Sequence, residues 1–379
     1  MRDDVARALA NYDWERLTLA SIGSHSALEV ASGARAQGLR SLVITAKGRE
    51  RTYAEYFRRR ESPGAPRGCV DAVLELDAFP EILERRVQQQ LLDANVIFLP
   101  NRSFEVYLHQ RFSYDEIENG MLVPFFGNRS LLRAEERDEA GNQYALMDRA
   151  RIRYPKRFQS AAEIDRLVMV KAAHAKVNFE RAFFLASSPS DFDATATALI
   201  DEGILTAAGL VDAVIEEYAL GPTINLNFFY SPILCELELN GTDTRRQTNL
   251  EGFRNLPPAA LAAVRDIPMR MEEAGHIAAT LTESMLEKAF AMGERFVDAT
   301  QALKPPGVIG PFALQCSIVA GPPKEFVCYD VSLRIPGSPG TRFTPYSAYR
   351  WGRDVSVGER IAMEIVMARD TKRLDAVLT

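Results

Sequence analysis

The stretch 19-LASIGSHSALEVASGARAQGL-39 decides how the chain begins to fold. Residues 17 to 22, LTLASI, read as a buried strand. Ala27, Leu28, Val30, Ala31 and Ala34 then recur at helical spacing, which predicts a helix over 24–37 with Ser24 as its cap. A strand that enters a helix through a glycine turn aims free backbone N–H groups beyond the strand end, a setting that favours an anion such as phosphate. His25, one of four histidines in the chain, stands at that mouth.

Working outward, strand and helix continue to alternate. SLVIT (41–45), DAVLEL (71–76) and VIFLP (96–100) read as further strands, and EILERRVQQQLLDAN as a helix before the last of them. That order predicts a parallel sheet with helices on its faces, which binds ligands beyond the carboxyl ends of its strands. NRSF after VIFLP reaches the same edge, so Ser103 and His25 are expected to share one pocket. Between them, 47-KGRERTYAEYFRRRESPGAPRG-68 mixes seven basic residues with three aromatics. It reads either as a solvated excursion or subunit contact, or as a basic lip over a phosphorylated substrate.

From about residue 121 the pattern becomes α+β with antiparallel sheets. PFFGNRS leads to a charged helix, LLRAEERDE. Strands follow at 166–171 and 181–188, joined by AAHAKVNFE, then a helix across 190–202 and a strand in DAVIEEYALG. Long strands at 223–240, a long helix at 281–303 and the pair PFALQCSIVA and EFVCYDVSLRI complete the reading. In the last strand Phe326, Cys328, Asp330, Ser332 and Arg334 are expected to share one face, opposite an apolar face of Val327, Tyr329, Val331 and Leu333. With Gln315 on the neighbouring strand, that row is either a solvated polar face or a site of oxygen ligands and a phosphate-binding cation, of the kind Mg²⁺ accepts. Lys171, emerging from an apolar strand, needs an anion or a salt bridge to Glu180 or Glu217.

Composition narrows the classes. The chain has 379 residues, 47% apolar and 25% charged, with a net charge of −6. That describes a soluble globular protein and gives no basic face for nucleic acid. No run of about 18 apolar residues occurs, so neither membrane spanning nor secretion is expected. The four cysteines lack a C-x-x-C spacing, and three sit in strand-like apolar runs, which fits reduced, buried thiols of a cytoplasmic protein with no zinc site and no disulfide.

In order along the chain, GSHSAL, FLPNRSF, PFFGNRSLLR, VMVKAAHAK, FFLASS, IEEYALG, FFYSP, PPGVIGPFALQ and VSLRI resemble the ATP-grasp superfamily. More specifically they resemble its archaeal-type formate-dependent 5-formaminoimidazole-4-carboxamide ribonucleotide (FAICAR) synthetases. The resemblance implies a Rossmann-like pre-ATP-grasp domain over 1–122 and an ATP-grasp domain over 123–379, whose smaller subdomain, about 145–220, covers ATP. It implies a ligase of purine biosynthesis in which ATP phosphorylates formate and the amine of aminoimidazole carboxamide ribonucleotide attacks the formyl phosphate.

Carried over residue by residue, His25, Ser103 and His276 fall where the family contacts the aminoimidazole nucleotide. Lys171, Lys176, Glu217 and Gln247 fall in ATP-contacting segments, and Gln315 and Asp330 where the family binds Mg²⁺, or Mn²⁺ in its place. Lys171, Arg334 and His25 are the implied catalytic set, and a homo-oligomer is implied as the assembly. Three positions depart from the family pattern: His276 in GHIAA stands where Asn is expected, Gln247 in RRQTN where Glu is expected, and Asp330 replaces a Glu. The departures leave open a paralogous ligase joining another amine and carboxylic acid, and a nucleotide-binding protein without turnover.

Overall fold

The computed structural model describes residues 2–136, 139–172, 183–264, 267 and 272–379. Strands β1 (Thr18–Ile22), β2 (Arg40–Ala46), β3 (Ala72–Leu76) and β4 (Val96–Phe98) form a parallel sheet in the order β3-β2-β1-β4. The chain steps outward from β1 to β3 and then crosses to the opposite side of β1. That reversal opens a crevice between the carboxyl ends of β1 and β4, where such sheets bind ligands. Every residue of β1 is buried, as expected for a central strand covered on both faces.

A small antiparallel sheet follows, in the order β5-β8-β6-β7, from β5 (Arg157–Phe158), β6 (Val168–Lys171), β7 (Phe183–Ala186) and β8 (Val214–Glu217). The helix Pro189–Asp201 packs against it around Phe184, Ala186 and Ala196. The third sheet is antiparallel, in the order β11-β10-β9-β12-β13. Its strands are β9 (Thr223–Ser231), β10 (Glu236–Gln247), β11 (Glu273–Ala278), β12 (Gly310–Val319) and β13 (Glu325–Ser332). The helix Glu283–Leu303 lays Met285, Ala289, Met292 and Phe296 onto Phe228 and Phe312 of that sheet. The helix Val357–Asp370 returns to the first domain and crosses the helix Ala27–Ala36 through Gly33 and Gly358. A Cβ on Gly33 would come within 2.2 Å of the Gly358 backbone, so only glycine permits the approach.

Several local expectations are corrected. The first helix starts at Ala27, not at residue 24, and its cap position is Ser26 in a left-handed conformation (φ 70°). Ser24 and His25 are thereby spent in a turn, and Ser26 Oγ donates to the Pro336 carbonyl (3.0 Å). LLRAEERDE contributes only to a 3-10 helix, Arg129–Glu135, because Glu135 turns inward to Arg334. The span 223–240 divides into β9 and β10 at a turn in which Cys235 has φ 56°. All four cysteines are free, but Cys235 is exposed and Cys69 half-buried, against the expectation of buried thiols.

The single expected face of the last strand also breaks. Gln315 pairs with Asp330 while Cys316 pairs with Cys328, so Tyr329 is an extra residue, a β-bulge. The bulge shifts the alternation by one residue. Phe326 and Cys328 join the apolar core with Val331 and Leu333, and the polar row is reduced to Asp330, Ser332 and Arg334. Among the described residues no helix is long and apolar enough to cross a membrane.

Candidate functional site

The crevice at the end of the parallel sheet faces the five-stranded sheet across one cavity. From the first domain come His25, in the turn after β1, and Arg102, opening the helix Arg102–His109 after β4. Asn101 ties the two sides together. Its side-chain oxygen accepts from Phe104 N, and its amide donates to the carbonyls of Ile22 (2.8 Å) and His25 (2.9 Å). Gly337 closes the mouth, and a Cβ there would stand 3.2 Å from His25 Nδ1.

The opposite wall is the polar face of the second sheet. Asn225 and Asn227 of β9, Arg245 of β10, Gln315 of β12, and Ser332 and Arg334 at the end of β13 line it. Glu273 and His276 of the edge strand β11 complete it. The buried carboxylate of Asp243 organises this wall from behind, accepting from Asn225 (3.0 Å), Asn227 (2.6 Å) and His276 Nδ1. His276 Nε2 lies 2.9 Å from Glu273 Oε1, and the same oxygen is 3.8 Å from His25 Nδ1. Arg245 Nε approaches Glu273 Oε2 at 3.5 Å.

The electrostatics follow from these pairings. Burial works against charge on His276, but Asp243 and Glu273 outweigh it and raise its pKa to about 9. Burial likewise works against the Glu273 carboxylate, yet His276 and Arg245 hold its pKa down at about 2. His25 is lowered by burial, with Glu273 pulling the other way, so it is the neutral imidazole of the pair. Arg334 is anchored by Glu135, whose Oε2 lies 2.9 Å from Nη2, while Leu333 N donates to the other oxygen (2.6 Å). Behind it Glu105 is pushed up to about 8, first by burial and then by the charge of Glu135.

Four buried polar atoms on this wall make no hydrogen bond among the described residues: Arg334 Nε, Arg245 Nε, Asn227 Oδ1 and Gln315 Oε1. Buried polar groups without partners are costly and rare, so a cluster of them facing a cavity marks a place for a ligand. Gln315 donates through Nε2 to Ser332 Oγ (3.1 Å), which leaves its amide oxygen for a cation. Asp330 is directly opposite Gln315 in the β12–β13 register. An amide oxygen and a carboxylate on one sheet face fit Mg²⁺, which fills its shell with water and phosphate oxygens.

The structure thus brings His25, His276, Gln315 and Arg334 to one cavity, with Asp330 beside Gln315. Ser103 is buried in the first turn of its helix and does not line the cavity; Arg102, its neighbour, does. Lys171 and Glu217 belong to the small sheet. Lys171 pairs with Glu216 (2.5 Å) and not with Glu217, whose side chain meets Arg166 (3.5 Å). Glu216 is buried and also accepts from the Tyr144 hydroxyl. Gln247 ends β10 opposite Glu273 and is outside the cavity wall. Lys176, Glu180 and the flap expected over 172–180 fall, apart from the flap's first residue, outside the described residues. No described residue of 47–68 lines the cavity; Arg49 instead donates to the Tyr107 hydroxyl (2.6 Å).

Sequence reasoning missed Arg102, Arg245, Asn225, Asn227, Asp243 and Glu273. The usable signal was the run 223-TINLNFF-229, where two asparagines alternate with apolar residues in a strand otherwise fit for the core.

Two family models match the chain, one described as "Protein of unknown function (DUF1246)" over residues 19–158 and one as "Domain of unknown function (DUF1297)" over 191–379. Among curated relatives, 5-formaminoimidazole-4-carboxamide-1-(beta)-D-ribofuranosyl 5'-monophosphate synthetase of Methanopyrus kandleri is 35% identical, covering 100% of this chain and 99% of that one. The protein of the same name from Methanocaldococcus jannaschii is 33% identical at the same coverage. An IMP biosynthesis protein PurP from Thermococcus kodakaraensis superposes with a TM-score of 0.69 at 26% identity, over 95% of this chain and all of that one. The purK N5-carboxyaminoimidazole ribonucleotide synthetase, at 12% identity and a TM-score of 0.56 over 86% of this chain and 72% of that one, shares the fold. The chain belongs to the family of 5-formaminoimidazole-4-carboxamide ribonucleotide synthetases and has the ATP-grasp fold.

Proposed function

We propose that this family member joins formate to the amine of 5-aminoimidazole-4-carboxamide ribonucleotide, with ATP converted to ADP and phosphate. The observation that carries the reading is the pairing, in one cavity, of a buried Arg334 Nε that makes no hydrogen bond among the described residues with acceptor oxygens on Gln315 and Asn227 that make none either. A phosphorylated amide-bearing nucleotide offers the complement of both.

A carboxylate oxygen of formate attacks the γ-phosphorus of ATP, ADP leaves, and formyl phosphate remains. The amine then attacks the formyl carbon, the C–O bond to phosphate breaks, and one amine proton must leave. Arg334, held by Glu135, stabilises charge on the transferred phosphoryl group. Neutral His25 is the group placed to accept the amine proton. Gln315 and Asp330 would hold Mg²⁺, which supplies neutralisation of the phosphate charge. Lys171, Lys176, Glu217 and Gln247 are assigned to ATP on the cover formed by residues 145–220. Ser103 supports the nucleotide site through the helix start it shares with Arg102. The reading places the protein in the cytoplasm as a homo-oligomer.

The test is ADP release by purified protein with Mg-ATP and formate, with and without the aminoimidazole nucleotide, followed by mass analysis of the nucleotide. A formylated mass that depends on all three substrates supports the reading. ADP release that requires a different amine or acid moves the chain to a paralogous ligase, for which His276 in place of Asn is the motivating feature.

A further inference from the structure

Glu273 is the one carboxylate among the described residues lining a cavity that also holds His25, Arg102, Arg245 and Arg334. A cavity meant for phosphates alone binds them better without it, because a fixed negative charge repels the ligand. Its presence needs a cationic or N–H-bearing partner. Its position is fixed by His276 (2.9 Å) on one oxygen and Arg245 (3.5 Å) on the other, with His25 Nδ1 3.8 Å from the first. Two carboxylate oxygens offer about four lone-pair sites, so capacity remains for a donor from the cavity. His276, by contrast, spends both ring nitrogens on Asp243 and Glu273.

We infer that Glu273 determines acceptor specificity by receiving a hydrogen bond from the exocyclic amino group of the acceptor, and that His276 is a positioning residue that aims Glu273. The inference rests on the proposed function for the identity of that acceptor. It orients the amine for attack and discriminates against nucleotides that lack it. It also accounts for a histidine at position 276: its two ring nitrogens reach a carboxylate on each side, which a single asparagine amide is too short to do.

The test compares wild-type protein with Glu273→Gln, which keeps size but removes charge. Equilibrium binding is measured for the aminoimidazole nucleotide and for its analogue lacking the amino group, alongside KM values for acceptor and ATP. The expected result is acceptor KM and Kd raised roughly 10- to 100-fold, the range for a hydrogen bond to a charged group. The analogue should bind both proteins alike, and the KM for ATP should hold. Equal weakening of acceptor and analogue, a shift confined to ATP, or no shift would overturn the inference. His276→Asn is the second variant. Positioning predicts a higher acceptor KM at similar kcat, whereas a merely structural role predicts lower kcat with acceptor KM unchanged. Wild-type protein that neither binds nor formylates the nucleotide refutes the functional reading itself, and the inference falls with it.

Discussion

The molecule holds two buried arginine–carboxylate networks, and they are built differently. At Arg360 every guanidinium nitrogen is hydrogen-bonded. Nε and Nη2 bond Glu238, Nη1 bonds Glu364 at 2.9 Å, and the guanidinium lies 4.1 Å from the Phe229 ring centre. Glu364 also accepts from Ser231, and Glu238 from Trp351. At Arg334 one nitrogen is anchored by Glu135, while Nε is buried without a hydrogen bond among the described residues. A saturated network fastens the C-terminal helix to the central sheet. An unsaturated one, facing a cavity, keeps its hydrogen bonds for something that arrives.

Substitutions should separate the two. Arg360→Met leaves two buried carboxylates without their cation, and a loss of about 3–5 kcal/mol in unfolding free energy is expected by denaturant titration. A loss below about 1 kcal/mol would erase the distinction. Arg334→Lys keeps a charge beside Glu135 but loses the planar fork. Turnover should fall about 100-fold while the denaturation midpoint moves little. A protein that unfolds instead would put Arg334 in the same class as Arg360.

The smallest expected effect concerns pH. His276 is raised from 6.5 to about 9, so its pairing contributes fully below about pH 6.5 and is lost as pH rises through about 9. Glu273, depressed from 4.5 to about 2, contributes above about pH 4.5 and loses that as pH falls towards 2. The thermal midpoint gap between wild type and His276→Asn should therefore be widest near pH 6 and shrink by a few degrees towards pH 9.5. A constant gap would mean that His276 is not charged in the folded protein.

Most of the fold was legible because its signals are local. LTLASI, the glycine turn and VIFLP announce a parallel sheet, and GSHS and NRS mark the ends that form the crevice. Two expected positions lie one residue from the side chain that makes the contact, one in a helix's first turn and one on a strand. Ser103 was expected where Arg102 points, and Glu217 where Glu216 pairs with Lys171. The bulge at Tyr329 reverses the face of Phe326 and Cys328 without any mark in the alternation of EFVCYDV. Glu273 and Arg245 lie on an edge pairing between charged segments, where no apolar period fixes which face turns inward. Such choices are made by tertiary pairing, which a local pattern does not contain.

The central claim is that the unsaturated cavity is the seat of the acceptor nucleotide. The most direct measurement is a crystal structure of the protein with 5-aminoimidazole-4-carboxamide ribonucleotide. The account predicts the nucleotide between His25, Arg102 and Arg334, with its amino group against Glu273. Density on the small sheet beside Lys171, with the cavity empty, would contradict it.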